Sequence, residues 1–179
     1  KIAQIASEIE VNILKRNIGK QDHYACSYGG FNKIQFYKNE KVSVKKIYPK
    51  PHKTNKLQEN LELYYTSVKR NSSNVLKSQM KLNKKQINQI KKLTELVDPA
   101  VKILIDEKSN IDLFGKVLHK GWEFKRKVNK KISNQKLDNY YLRAIKQGAL
   151  GGKILGAGNG GFFLFYINIL CEYFGGVEF

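Results

Sequence analysis

Cysteine, proline, arginine and long apolar runs are all scarce in this chain of 179 residues. Its two cysteines, Cys26 and Cys171, lie far apart and outside any metal-binding spacing, which argues against a zinc site or a disulfide framework. The longest apolar run, Phe162 to Ile167, has the length of a strand and is too short for a membrane helix. These absences exclude the disulfide-stabilised and membrane-spanning classes, and we expect a cytoplasmic protein without a membrane partner.

Acidic residues are also few, since 15 Asp and Glu stand against 33 Lys and Arg, a formal net charge of +18. Such an excess is typical of proteins that bind nucleic acid or anionic membranes. However, 29 of the basic residues are Lys and are spread over every segment, whereas only four are Arg, the side chain preferred for bidentate phosphate contacts. A nucleic-acid partner is therefore the weaker interpretation, and a basic nucleic-acid-binding module with salt-sensitive affinity stays an alternative.

The first segment, residues 1–50, contains a predicted helix, loop and hairpin. Apolar residues recur at helical spacing over 1–16 and predict an amphipathic helix. Its stripe consists of Ile2, Ile5, Ile9 and Ile13. No capping residue precedes this helix, so we expect a fragment of a longer protein. A polar segment over 21–28 leads to alternating runs at 31–37 and 41–47, which predict a hairpin.

Prolines and lysines over 49–56 predict an exposed connection to a second segment, residues 57–179. A strand is predicted at 61–66, and Asn71-Ser72-Ser73 offers caps for a helix that follows. Helical stripes then cover 87–104, with a kink near Asp98-Pro99, 114–122 and 137–145, where Gly148 ends the helix. A strand from Lys153, a glycine turn and a strand over 162–166 close the segment. The order predicts an α+β fold with helices packed on an antiparallel sheet.

The glycine turn is the strongest local signal for function. It comprises Gly156, Ala157, Gly158, Asn159, Gly160 and Gly161. Several glycines allow backbone N–H groups to converge on an anion and the chain to approach a ligand. The turn lacks the GK[ST] ending of a Walker A loop and precedes a strand, which excludes that loop and the dinucleotide fingerprint. From these residues alone, a plain hairpin turn is as good an interpretation.

Two other places could carry chemistry. After the glycine turn at Gly19, Lys20 and Asp22 could orient or deprotonate a hydroxyl, although a helix cap is the stronger interpretation from the residues alone. The strand-to-helix junction 66–73 could bind an anion at a helix N-terminus, or could be a capped helix on a basic surface. We expect the isolated His119 to pack or hydrogen-bond rather than to bind a metal.

Four blocks in sequence order, residues 18–37, 61–79, 114–133 and 148–166, resemble the GHMP small-molecule kinases, and among them the bacterial heptose 7-phosphate kinases. The resemblance implies a GHMP-kinase-like fold, with 1–50 as the end of the N-terminal domain and 57–179 as the C-terminal domain. It also implies transfer of a phosphoryl group from ATP, with Mg²⁺, to the anomeric hydroxyl of a heptose 7-phosphate in the synthesis of surface polysaccharide precursors. A kinase of another sugar, such as fucose or a galactose-type sugar, stays the alternative.

The resemblance also assigns residues. It implies that Asp22 is the base, or an orienting group, near the acceptor hydroxyl, with Lys20 in the same motif, and that loop 156–161 shapes the phosphate and acceptor region. The implied sugar-phosphate contacts are Thr66, Lys69, Arg70, Ser72, Gly29 and Gly30, with Arg70 as the bidentate group. Asn159 stands where such kinases usually have Gly, which is tolerable if its backbone is left-handed.

Two motifs of these kinases have no counterpart here. The first motif and the glycine- and serine-rich phosphate loop are expected upstream of Lys1, so the main ATP and Mg²⁺ site, with its metal ligands, is expected outside these residues. We therefore expect the 179-residue chain alone to be inactive. A non-catalytic remnant of a kinase is a further alternative.

Overall fold

A computed structural model of the chain describes residues 1–68 and 82–168. The chain divides into two compact units, Lys1–Pro49 and Lys50–Phe179. The helix expected after Asn71-Ser72-Ser73 lies outside the described residues. Each unit is built around its own antiparallel strands, β1 and β2 in the first and β3, β4 and β5 in the second.

The first unit combines short helices with a hairpin. Its elements are α1 (Ile2–Ser7), a π-helix (Glu8–Ile13), α2 (Gln21–Tyr28), β1 (Phe31–Phe36) and β2 (Val42–Ile47). The two strands pair antiparallel from Phe31 opposite Ile47 to Phe36 opposite Val42, which confirms the predicted hairpin. The segment predicted only as polar, 21–28, is helical, and it presents its first turn next to the loop at Gly19.

The predicted amphipathic helix is shorter than 1–16 and widens into the π form. The Leu14 N–H donates to the Ile9 carbonyl, five residues back, and Lys15 has a φ of 51°, a left-handed conformation that ends the helical run. Ala3 and Ser7 are the buried residues of α1. The isoleucine stripe is instead exposed, from 43% at Ile9 to 75% at Ile2. The periodicity therefore predicted the helix but not which side is covered.

The second unit places helices on a three-stranded sheet. Its elements are α3 (Pro51–Glu59), β3 (Leu61–Tyr65), α4 (Lys84–Glu95), α5 (Val97–Ile105), α6 (Leu113–Val128), a 3₁₀ turn (Lys130–Ile132), α7 (Gln135–Lys146), β4 (Ala149–Ile154) and β5 (Phe162–Ile167). The strand order is β3-β5-β4, and both pairings are antiparallel. The core lies between the sheet and helices α6 and α7, where Trp122, Tyr141, Phe163 and Phe165 are fully buried. The predicted α+β arrangement is confirmed.

The segment predicted as an exposed connection, 49–56, was interpreted wrongly. Helix α3 begins at Pro51, whose fixed φ suits the first helical position. Lys53 is only 3% exposed, and its ammonium donates to the carbonyls of three residues at 2.5–2.9 Å. These acceptors are Ile103, Asp106 and Ser109, at the end of α5 and just beyond it. The lysine thus supplies donors that carbonyls at a helix C-terminus lack.

Strand β4 begins at Ala149, earlier than the predicted start at Lys153. Gly151 and Gly152 are therefore strand residues, and a Cβ on Gly151 would lie 2.0 Å from the carbonyl oxygen of Gly115 in α6. The absence of a side chain lets the helix approach the sheet closely. Gly148, with a φ of 103°, follows α7 as predicted.

Two smaller predictions concern the kink near Pro99 and the role of His119 in α6. The predicted kink near Asp98-Pro99 is a break at Leu96, between α4 and α5, and Pro99 falls in the first turn of the second helix, where its missing N–H costs nothing. The His119 Nδ1 lies 2.8 Å from the hydroxyl oxygen of Tyr141, which confirms its hydrogen-bonding role. Within residues 1–68 and 82–168, no helix combines the length and the apolar character needed to cross a bilayer.

Candidate functional site

Lys20 and Asp22 lie at the start of α2. Lys20 occupies the N-cap position, and Asp22 falls in the first turn, where a negative charge is favourable next to the helix N-terminus. The Asp22 side chain is exposed, and no donor among the described residues bonds to its carboxylate. Asp22 is therefore not the helix cap that the local pattern favoured, and its carboxylate is accessible to a hydroxyl group.

The Lys20 ammonium pairs with the carboxylate of Glu40, in the turn between β1 and β2. The hydrogen bond from Lys20 to Glu40 raises the pKa of the lysine, so its ammonium is kept charged. A concavity of about 370 Å³ lies beside this pair and is also lined by Gln21, Phe36 and Tyr37. Sequence reasoning missed Glu40, because a glutamate in a hairpin turn carries no signal of its own.

Gly29 and Gly30 follow the other end of α2. Their φ angles are 60° and 65°, and a Cβ on either residue would meet nothing within 4 Å. Since α2 has eight residues, it separates them from Lys20 and Asp22 by about 12 Å along its axis. Their positive φ serves the turn into β1, and they stay a predicted substrate contact.

Loop 156–161 joins β4 to β5 in a mostly left-handed conformation. Positive φ angles occur at Gly156 (67°), Gly158 (99°), Asn159 (59°), Gly160 (132°) and Gly161 (88°). Asn159 thus has the left-handed backbone that makes Asn tolerable at this position, since Asn adopts this region more readily than most residues. The glycines are equally required by packing: a Cβ on Gly158 would lie 2.7 Å from the Ile132 carbonyl oxygen.

Thr66, a predicted substrate contact, lies beside this loop. Its N–H and its hydroxyl both donate to the Gly161 carbonyl, at 2.9 and 2.8 Å, and the residue is only 3% exposed. The Gly161 N–H donates to the Val68 carbonyl at 3.3 Å. Lys69, Arg70 and Ser72 lie outside the described residues.

Contacts from α6 and the 3₁₀ turn hold the rest of the loop. The Lys125 ammonium donates to the Gly156 carbonyl at 2.6 Å, and the Asn159 N–H donates to the Ile132 carbonyl at 2.7 Å. The N–H groups of Asn159 and Gly161 thus point into the protein, so any anion cradle must be formed by the other amides of the loop. Sequence reasoning missed Lys125, which lies inside block 114–133 but is one lysine among many.

The candidate residues fall into two groups, one in each unit. Lys20 and Asp22 belong to Lys1–Pro49, whereas Thr66 and loop 156–161 belong to Lys50–Phe179. In the described ranges no group of three or more His, Cys, Asp or Glu side chains is arranged to hold a metal ion. The first group offers an accessible carboxylate and a cation, and the second a glycine loop held by hydrogen bonds.

Comparison with known proteins identifies relatives of this arrangement. The chain is 30% identical over 175 residues to the D-glycero-alpha-D-manno-heptose 7-phosphate kinase of Campylobacter jejuni, a match that covers 97% of this chain and 51% of that protein. The chain therefore spans about half the length of this curated relative. No protein-family model matches the chain.

Solved structures agree with the sequence match. A D-glycero-D-manno-heptose 1-phosphate kinase from Bacteroides thetaiotaomicron superposes with a TM-score of 0.61 at 26% identity, over 92% of this chain and 43% of that one. The mevalonate kinase of Methanococcus jannaschii superposes with a TM-score of 0.65 at 26% identity, over 93% of this chain and 48% of that one. The predicted GHMP-kinase-like fold is confirmed, and over the part of its relatives that it spans, this chain is similar to kinases of the GHMP type.

Proposed function

We propose that this chain is part of an ATP-dependent sugar kinase that phosphorylates the anomeric hydroxyl of a heptose 7-phosphate. The observation that carries the proposal is the match to a heptose 7-phosphate kinase along 97% of the chain. The match includes both groups of candidate residues. The geometry supports the proposal, because a phosphoryl transfer dominated by positioning requires an accessible carboxylate and a loop held in place by hydrogen bonds.

In this proposal Asp22 accepts a hydrogen bond from the attacking sugar hydroxyl and either orients it or removes its proton. The exposed position of Asp22 in the first turn of α2 supports this role. Lys20 offsets negative charge that develops on the transferred group, and Glu40 keeps the ammonium in place between turnovers. Both side chains act by position and charge.

The second unit contributes further contacts to the proposed acceptor site. Loop 156–161 shapes the phosphate and acceptor region, and Thr66 fixes the loop at Gly161. Lys69, Arg70 and Ser72 bind the sugar or its distal phosphate, with Gly29 and Gly30 as further substrate contacts. In this proposal, residues 1–50 are the end of the N-terminal domain of a GHMP kinase, and residues 57–179 are the C-terminal domain of the same kinase.

We further propose that the described residues do not form the main ATP and Mg²⁺ site by themselves. They contain no acidic cluster for a metal, and two of the glycine-loop amides donate to protein carbonyls. We place the main loop for ATP and Mg²⁺ in a part of the kinase that these residues do not include. We therefore also propose that the 179-residue chain has no kinase activity on its own.

A fusion tests the proposal. The part of the Campylobacter jejuni relative that the match does not cover is joined to this chain, and both the fusion and the chain alone are assayed with ATP, Mg²⁺ and heptose 7-phosphate, fucose or galactose. We expect turnover of heptose 7-phosphate by the fusion only. Preferred turnover of fucose or galactose would show that this sugar, and not heptose 7-phosphate, is the acceptor. A folded fusion without any kinase activity would refute the proposal.

Asp22→Asn in the active fusion tests the catalytic residue. Because the variant removes the charge and the proton acceptor, we expect kcat to fall about 10²-fold to 10⁴-fold, with the KM for ATP nearly unchanged. Asp98→Asn is the matched control, since Asp98 also lies in the first turn of a helix, α5. An unchanged kcat in Asp22→Asn would remove Asp22 from the mechanism.

A further inference from the structure

The tip of the glycine loop is held through both the backbone and the side chain of Asn159. Its N–H donates to the Ile132 carbonyl at 2.7 Å, and its side-chain oxygen accepts a hydrogen bond from the Asn134 amide at 3.1 Å. The Asn134 side-chain oxygen meanwhile accepts from the Leu137 N–H at 3.1 Å, which makes it the N-cap of α7. One side chain thus connects the start of a helix to the tip of the loop.

The segment that carries Asn134 is itself anchored on the core. The Asp138 carboxylate accepts from the Ser133 hydroxyl at 2.8 Å and from the Arg126 guanidinium at 2.9 Å. The guanidinium carbon lies 5.8 Å from the ring centre of Trp122 and 5.9 Å from that of Tyr141. A continuous series of contacts therefore runs from the buried rings to Asn134 and the loop.

The tip of the loop needs such support more than its ends do. Gly161 is held by Thr66 and Gly156 by Lys125, whereas Asn159 lies between two glycines with positive φ. Glycines have more accessible backbone conformations than other residues, so a loop rich in them loses order when a contact is removed. In a phosphoryl transfer that depends on positioning, motion at the tip lowers the rate of the chemical step.

We propose that Asn134 is a positioning residue for the kinase, acting through its hydrogen bond to the Asn159 side chain, which sets the conformation of the glycine loop. This inference rests on the proposed function.

Two substitutions remove the hydrogen bond in different ways. Asn134→Ser retains a good N-cap for α7, but the shorter side chain does not reach Asn159. Asn159→Gly removes the acceptor and keeps a residue that adopts positive φ. The matched control is Gln135→Ser. It removes a similar hydrogen bond between side-chain amides, from Gln135 to Asn139 at 2.8 Å, on the exposed side of the same helix.

Hydrogen exchange in the 179-residue chain is the first measurement. We expect Asn134→Ser to speed exchange at the Asn159 amide about threefold to tenfold, the range for loss of one hydrogen bond, while the melting temperature and the exchange of the α7 amides stay near those of the unsubstituted chain. Gln135→Ser is expected to leave exchange in the loop unchanged. Unchanged exchange in Asn134→Ser would overturn the proposal.

Turnover of the fusion is the second measurement. We expect each single variant to lower kcat about threefold to tenfold with the KM for ATP within about twofold, and the double variant to be no worse than the singles, because both remove the same bond. Independent, additive losses, or a change in KM alone, would overturn the positioning role. An inactive unsubstituted fusion would count against the proposed function, and the exchange experiment would then decide the hydrogen-bond claim separately.

Discussion

The two units differ in how they hold their candidate residues. In Lys1–Pro49 the buried side chains are few, namely Ala3, Ser7 and Ile47, and the isoleucines of α1 and the π-helix are exposed. In Lys50–Phe179 a continuous cluster of aromatic side chains is fully buried around Trp122. Accordingly, Asp22 and Lys20 are side chains on a lightly packed surface, whereas loop 156–161 is a backbone fixed by a core.

This difference shows two ways of preparing a site. The carboxylate that we propose meets a substrate hydroxyl needs access, and its position on the first turn of α2 provides it. A glycine loop has little intrinsic order, so its shape must come from neighbouring elements, here through Thr66, Lys125 and Asn134. We therefore expect substitutions in the second unit to change stability much more than those in the first.

The largest effect is expected for Trp122→Ala. Trp122 is fully buried and packs against Tyr141 and Phe163, so the cavity should lower the free energy of unfolding by about 3–5 kcal/mol. Ile9→Ala, at a residue 43% exposed in the first unit, should cost about 0.5 kcal/mol or less. Urea denaturation of the two variants measures the contrast, and equal losses would contradict it.

An intermediate effect is expected for Lys53→Met. The substitution leaves three carbonyls near the end of α5 without their donor, and we expect a loss of about 2–3 kcal/mol of unfolding free energy. Lys56→Met, on the exposed side of the same helix, is the control and should change stability little. Similar melting temperatures for both variants would show that the buried ammonium does not support the helix end.

The smallest effect is expected for Lys153→Met in β4. Burial lowers the pKa of Lys153 below its usual value of 10.5, so the unfolded chain binds this proton more tightly than the folded chain does. The cost of burying the charge is therefore present at neutral pH and disappears as pH rises from the folded-state pKa through 10.5.

We expect Lys153→Met to raise the melting temperature at pH 7 by roughly 1–3 °C. The advantage over the unsubstituted chain should shrink by pH 10, since the lysine then loses its charge. Melting curves of the two proteins at both pH values measure this, with exposed Lys120→Met as the control. An advantage that grows with pH would contradict the assigned direction of the shift.

Elements with a clear period were predictable from the sequence. The hairpin of β1 and β2, strand β3 and helices α4 to α7 follow from apolar residues spaced at two or at three to four positions, and β5 follows from a continuous apolar run. Helix α3 was not predictable, because prolines and lysines are typical of loops and only the carbonyls beyond α5 explain a buried Lys53. The start of β4 was hidden by Gly151, whose reason is the close approach of α6.

The candidate site shows the same division. Asp22 and loop 156–161 were found because a motif lies within a few consecutive residues. Glu40, Lys125 and Asn134 were not, since they contact Lys20, Gly156 and Asn159 across 20, 31 and 25 positions, and each is a common residue type for this chain. Contacts across such separations leave no trace in local spacing.

The sequence by itself determined the order of helices and strands, the glycine-rich loop with an Asn able to adopt positive φ, and the resemblance to GHMP kinases. Only the tertiary structure decided which lysines are buried, that the isoleucine stripe is exposed, and that two amides of the loop point into the protein. The physical reason is that backbone preference and periodicity are local, whereas burial and hydrogen-bond partners depend on segments that packing brings together.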